Sequence, residues 1–178
     1  MKTAIVTGAS AGIGRAVAEK LLDAGWQVGL IARRAEMLED IADRYEGAAF
    51  ALPADVTDEE AVEAAFQGFV AETGRLDCLF NNAGIFVPAA MIDEMPVADW
   101  KKAVDVNLTG MFLCARQAFG IMRHQDPRGG RIINNGSVSA HAPREGAAPY
   151  TATKHAITGL TRQLALDGRA FDVACGQI

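Results

Sequence analysis

Thr7-Gly8-Ala9-Ser10-Ala11-Gly12-Ile13-Gly14 decides the fold. It follows an apolar run, Ala4-Ile5-Val6, and leads into Ile13, Ala16, Val17, Ala18, Leu21 and Leu22, whose three- and four-residue spacing predicts a helix with one buried stripe that stops at Gly25. A second apolar run, Gln27 to Ala32, completes a strand–turn–helix–strand unit. In that unit the backbone amides of the helix N-terminus face the turn and favour an anion such as a pyrophosphate. Gly8 and Gly12 let backbone approach phosphate closely, and Gly14 lets the helix pack near the strand. The spacing is Gly-x-x-x-Gly-x-Gly. Any tight strand-to-helix turn needs glycine, so the surrounding unit, not the glycines alone, carries the reading. It makes Gly8, Ser10, Ala11, Gly12, Ile13 and Gly14 candidate dinucleotide contacts.

The second strand ends at Ala32-Arg33-Arg34, where a dinucleotide would present its adenosine ribose. An acidic residue there accepts from a free 2′-hydroxyl, whereas a guanidinium fork suits a 2′-phosphate. Arg33, with Arg34 beside it, therefore argues for NADP, with NAD as the alternative. A solvated arginine pair at a helix start is the competing reading.

Further along, Cys78 to Phe80 and Arg131 to Asn134 read as strands buried on both faces, and Ala49 to Leu52 and Val173 to Cys175 are weaker candidates. Helical spacing recurs at Met37, Leu38, Ile41, Ala42 and Tyr45, and again at Val62, Ala65, Phe66 and Phe69 after the acidic start at Asp58. Two longer helices are expected from near Asp99 to Arg123 and from near Pro149 to Phe171. Strands alternating with helices predict an α/β fold: a doubly wound parallel sheet with helices on both faces, a Rossmann fold. No linker or repeat divides the chain, so residues 1–178 form one domain carrying both nucleotide and catalytic residues.

With 178 residues, 50% hydrophobic and 22% charged, there is material for one core. The net charge of −5, with no basic block, argues against nucleic acid or an anionic membrane as partner. No apolar stretch approaches the roughly 20 residues of a membrane span, and no signal-like core opens the chain, so a cytoplasmic location is expected. Cys78, Cys114 and Cys175 are widely spaced in apolar contexts and read as buried thiols; with the scattered His124, His141 and His155 they offer no metal site.

These motifs, with Asp55-Val56, Asn81-Asn82-Ala83-Gly84, Asn107, Ser137 and Tyr150-x-x-x-Lys154 following in order, resemble the short-chain dehydrogenase/reductase family from the first strand to about Ile178. The resemblance implies that Asp55 bonds the adenine amino group, that Val56 offers a backbone contact, and that the Asn81 to Gly84 segment lines the adenine ribose, with Asn82, Ala83 and Gly84 as cofactor contacts, and supports the central strand. It also implies Asn107, Ser137, Tyr150 and Lys154 as catalytic residues, with Tyr150 and Lys154 touching the cofactor as well. Independent chemistry agrees in part: residues four apart share a helix face, and an ammonium beside a phenol favours the phenolate form needed for proton exchange. Ser137 offers a hydroxyl to hold a substrate oxygen, with Ser139 its nearby competitor, and Asn107 matches a residue that helps hold a relay water.

The implied reaction moves a hydride between NADP and a small-molecule secondary alcohol or carbonyl. Gly136 and Thr153 stand where relatives usually carry serine, and neither change removes a catalytic group. The family continues into a substrate loop and a final strand beyond the position of Ile178, so those parts are expected to be absent here and the last strand to present an open edge. Two further readings follow: a non-catalytic dinucleotide-binding protein that senses cofactor or partners a complete relative, and a fragment that does not fold alone. A homo-oligomer, dimer or tetramer, is expected through the two long helices, where Ala103, Val106, Met111, Phe112, Ala115 and Phe119 serve either a partner or the core.

Overall fold

The computed structural model describes all residues, Met1–Ile178. Six parallel strands, β1 (Thr3–Thr7), β2 (Gln27–Ala32), β3 (Ala49–Pro53), β4 (Cys78–Asn81), β5 (Gly130–Asn134) and β6 (Val173–Gln177), form one sheet in the order β3-β2-β1-β4-β5-β6. The weak candidates at Ala49 and Val173 are thus full strands, their in-register pairing with β2 and β5 supplying what their short apolar runs lack. The outer edge of β6 has no partner strand in this chain.

Alternation along each strand divides the core between the two faces. On one face Ile5, Leu79 and Ile132 meet α3 (Glu59–Thr73) and α5 (Met111–His124) through Phe66, Phe69, Cys114 and Met122. On the other, Val6, Val28, Leu30 and Phe80 meet α1 (Gly12–Asp23) and α2 (Ala35–Arg44) through Ala18, Leu22, Leu38 and Ile41. α4 (Val97–Val104) precedes α5, and α6 (Ala148–Gly168) runs along β6 and against α4. Asp58 caps α3 by accepting from the Ala61 amide at 3.0 Å.

Four expectations need correction. The helix expected from Asp99 to Arg123 starts at Val97 and contains a π-helical turn, Asp105–Gly110, between α4 and α5. The side-chain amide of Asn107, within that turn, donates to the Ile85 carbonyl at 2.9 Å and accepts from the Ile85 amide at 2.7 Å. Gly110 passes so near Val56 that a Cβ would lie 2.8 Å from its Cγ2. The last helix is α-helical to Gly168 and finishes in a 3₁₀ turn, Arg169–Phe171.

The buried stripe of α1 omits Ile13, which is 60% exposed and lines the crevice at the sheet's carboxyl end, and Ala16, which is exposed. Of the thiols only Cys114 is fully buried, Cys78 and Cys175 being half-buried. Among the residues offered for a helix contact, Ala103, Met111 and Ala115 are buried in the core, Val106 and Phe119 are half-buried, and Phe112 is exposed.

Candidate active site

The strand order reverses between β1 and β4, which opens a crevice at their carboxyl ends. Thr7, at the end of β1, ties the two strands together. Its hydroxyl accepts from the Asn82 and Ala83 amides at 2.8 and 2.9 Å and donates to Asn81 Oδ1 at 3.4 Å. Asn82 returns a hydrogen bond from Nδ2 to the Thr7 carbonyl at 3.0 Å. The Asn81–Gly84 segment therefore braces the glycine turn.

That turn is tight. Gly8 and Gly12 hold φ of +68° and +56°, a region costly for other residues. A Cβ on Gly14 would lie 2.3 Å from the Gly8 carbonyl oxygen and 2.6 Å from Asn82 Nδ2. α1 has no side-chain cap at its start and no acidic residue in its first turn, leaving its N-terminal amides for an anion.

The crevice has a volume of about 650 Å³, within the range of small-molecule sites. Gly8, Ser10, Ala11, Ile13, Arg33, Arg34, Asp55, Val56, Asn82, Ala83, Gly84, Tyr150 and Lys154 all line it. Gly12 and Gly14 shape the turn from behind. At the far end of β2, Arg34 Nη2 donates to Ser10 Oγ at 2.9 Å. The Arg33 guanidinium, 71% exposed, lies 4.0 Å from Asp55, whose other oxygen accepts from the Thr57 amide and hydroxyl. The glycine turn, the free helix start and the two guanidiniums fit an NAD(P) dinucleotide laid across the switch point.

At the other end Lys154, 3% exposed, donates from Nζ to the Asn135 carbonyl at 2.6 Å. Burial lowers its pKa from 10.5 to about 8. Nζ stands 5.5 Å from the Tyr150 ring centroid, one helical turn away on α6. Asn135 Nδ2 donates to Asn82 Oδ1 at 2.8 Å, so hydrogen bonds run unbroken from Thr7 through Asn82 and Asn135 to Lys154. Tyr150 stacks on Phe86, ring centroids 4.1 Å apart.

Ser137 and Asn107 sit elsewhere. Ser137 lines a separate cavity of about 500 Å³ with His141, Thr158 and Gln177, which shares no lining residue with the crevice, and its Oγ accepts from the Ser139 amide at 3.1 Å. Ser137 is half-buried and so accessible, whereas Ser139 is fully buried with no hydrogen-bond partner for its hydroxyl. Asn107 is fully buried behind the crevice, its amide engaged with Ile85.

Asn135, Ile85, Phe86 and Lys102 line the crevice without a motif to mark them. For Asn135 a signal existed: Asn134-Asn135 ends β5 as Asn81-Asn82 ends β4, and Asn81 pairs in register with Asn134. Below this pair Asn81 donates to Asn134 Oδ1 at 3.2 Å and Asn134 to Thr161 Oγ1 at 2.9 Å, a buried polar link to α6.

A doubly wound sheet with this crevice defines a dinucleotide-binding α/β protein. The chain belongs to the short-chain dehydrogenase family, whose model matches residues 2–178. It is 35% identical over 99% of its length to a 3beta-hydroxysteroid dehydrogenase of Mediterraneibacter gnavus, and 37% identical over 93% to a cis-4-hydroxycyclohexanecarboxylate dehydrogenase of Sinomonas cyclohexanicum. It spans 64% and 66% of those relatives' lengths. A crystal structure of 3-ketoacyl-(acyl-carrier-protein) reductase from Brucella melitensis, complexed with NADH, superposes with a TM-score of 0.94 at 28% identity, over 99% of this chain and 74% of the other.

Proposed function

We propose that this protein is an oxidoreductase that moves a hydride between NADP, preferred over NAD, and a secondary alcohol or the corresponding carbonyl compound. The observation that carries the proposal is the shared crevice: the glycine turn, Tyr150 and Lys154 line one cavity, and a hydrogen-bonded chain links Thr7 to Lys154. The names of the two curated relatives, a hydroxysteroid and a hydroxycyclohexanecarboxylate dehydrogenase, agree with a hydroxyl-bearing substrate.

Gly8, Ser10, Ala11, Gly12, Ile13 and Gly14 hold the pyrophosphate; Arg33 and Arg34 read the 2′-phosphate; Asp55 and Val56 meet the adenine; Asn82, Ala83 and Gly84 meet the ribose. A bound nicotinamide supplies or takes up the hydride. The Tyr150 hydroxyl exchanges a proton with the substrate oxygen. Lys154 remains mainly an ammonium at neutral pH, given its pKa of about 8, and its charge stands beside the Tyr150 ring. The Asn135 carbonyl fixes that ammonium in place.

Ser137 donates a hydrogen bond to the substrate oxygen from the neighbouring cavity, preferred over Ser139 because only Ser137 is accessible. Asn107 orders the backbone at Ile85, which leads into the crevice, and supports the relay water. The proposal includes a small-molecule substrate, a homo-oligomer and a cytoplasmic location. No helix is long and apolar enough to cross a membrane.

Tyr150→Phe tests the assignment. It keeps the ring and its stack on Phe86 while removing the acid/base, so kcat falls by at least about a hundredfold and the dissociation constant for NADP stays within about twofold, read by steady-state kinetics and calorimetry. Retention of most of the turnover overturns the assignment. Cofactor binding by the wild type with no turnover across a panel of alcohols and ketones favours the silent dinucleotide-binding reading instead.

A further inference from the structure

Arg144 lies on the loop that joins the Ser137 segment to α6, and it is exposed. Its guanidinium carbon stands 5.6 Å from the Phe86 ring centroid and 5.8 Å from that of Tyr150. Those two rings are stacked on each other only 4.1 Å apart. The guanidinium thus lies within cation–π reach of both rings.

Cation–π contact meets the charge only in part and leaves the guanidinium N–H donors without an acceptor. The side chain takes part in no ion pair: the seven bridges of the molecule use Arg15, Arg33, Arg44, Arg75 and Arg116. Even the adjacent Glu145 does not reach it. The loop is nonetheless held: the Ala90 amide donates to the Gly146 carbonyl at 3.2 Å, and the Ala147 amide donates to the Arg144 carbonyl at 3.2 Å. Gly146 approaches Ala89 so closely that a Cβ would lie 3.0 Å from the Ala89 Cβ. The segments carrying Phe86 and Arg144 are therefore docked on each other, with an unpaired guanidinium fixed at the rim of the reacting tyrosine.

We infer that Arg144 reads a carboxylate on the substrate, which is accordingly a compact hydroxy acid or keto acid whose carbon body lies against Phe86. The inference rests on the oxidoreductase reading, because it takes Tyr150 as the group that meets the reacting oxygen. A guanidinium offers a carboxylate two parallel N–H donors. Its 5.8 Å separation from the Tyr150 ring centroid is the span of a few bonds, the size of a compact molecule that would meet both residues. The surrounding charges agree. Lys102 lines the crevice, a second cation to which the dinucleotide and the proton transfer assign no role.

The test uses matched pairs, 3-hydroxybutyrate, mandelate and 4-hydroxycyclohexanecarboxylate, each beside its methyl ester. Affinities are measured by calorimetry on the NADP-loaded protein, and turnover is measured in parallel. In the wild type at least one acid binds about tenfold or more tightly than its ester. Arg144→Gln brings that ratio close to one, and Arg144→Lys, which keeps the charge but loses the fork, leaves it in between. If no acid is preferred over its ester, including the case in which none binds, or if Arg144→Gln leaves the ratio unchanged, the inference is overturned. An Arg144-dependent preference for an acid that no condition turns over upholds the carboxylate site and counts against the oxidoreductase reading.

Discussion

Lys154 shows how burial and function meet at one residue. Its pKa of about 8 has a single cause, loss of solvent, only partly offset by the hydrogen bond to the Asn135 carbonyl. Below about pH 8 folded and unfolded chains both carry the proton, and the folded chain bears the cost of burying it. Between about 8 and the ordinary 10.5 the unfolded chain still holds a proton that the folded chain has released, so stability rises with pH across this window. Burial also pushes Cys78 and Cys175 up to about 11 and Cys114 to about 12, from an ordinary 9.0. Those thiols act in the opposite sense, lowering stability as pH rises above 9, because the unfolded chain loses protons first. Comparison with Lys154→Met cancels the thiol contribution, which both proteins share. From about pH 7 to about pH 9 the urea midpoint of the wild type should climb relative to that of Lys154→Met. Parallel profiles would show that the lysine is not held down by burial.

Helices carry the next level of constraint, and two glycines in helices separate propensity from packing. Gly14 lies in the first turn of α1 and Gly120 inside α5. Helix propensity favours alanine over glycine at interior positions by about 0.5–1 kcal/mol. A Cβ at Gly120 meets nothing within 4 Å, so Gly120→Ala should raise stability by about that amount. A Cβ at Gly14 meets the Gly8 carbonyl oxygen, a backbone atom that can move only by opening the glycine turn. Gly14→Ala should therefore cost about 1–3 kcal/mol and weaken dinucleotide binding, both read from chemical denaturation with and without NADP. Equal effects at the two sites would contradict the close packing. At this scale the sequence was legible wherever local rules suffice: the apolar runs are strands, and Asp58 caps α3. The π-helical turn was not legible, because it accompanies contacts of Asn107 with Ile85 and of Gly110 with Val56, partners 22 and 54 positions away in sequence. Exposure of Ile13 was hidden for the same reason, since periodicity marks a stripe but not which of its residues opens onto a crevice.

For the whole molecule the decisive feature is that all six strands run parallel, so every strand ends at the same edge of the sheet. Residues as distant in sequence as Gly8, Arg33, Asp55, Asn82 and Lys154 thereby share one crevice. The motifs exposed most of that lining in advance. They did not expose Asn135 or Phe86 in that lining, nor Arg144 beside it, whose placements arise from the spatial neighbours of β5 and of the loop before α6. Because a dinucleotide in this crevice touches loops after four strands, its binding energy is felt by the whole fold. A ligand that binds only the folded state stabilises it by an amount set by the ratio of ligand concentration to dissociation constant, about 2.7 kcal/mol at a hundredfold excess. At equal concentrations NADP should therefore raise the melting temperature more than NAD does. Arg34 is steadied by Ser10, while Arg33 stands exposed with the Asp55 carboxylate near it. On the proposed reading each offers the 2′-phosphate a charge-assisted pair of about tenfold in affinity, so Arg33→Ala and Arg34→Ala should each narrow the gap, and the double variant should close it. An NAD shift as large as that of NADP in the wild type would mean that the two guanidiniums are solvated surface groups and that this crevice does not discriminate the 2′-phosphate.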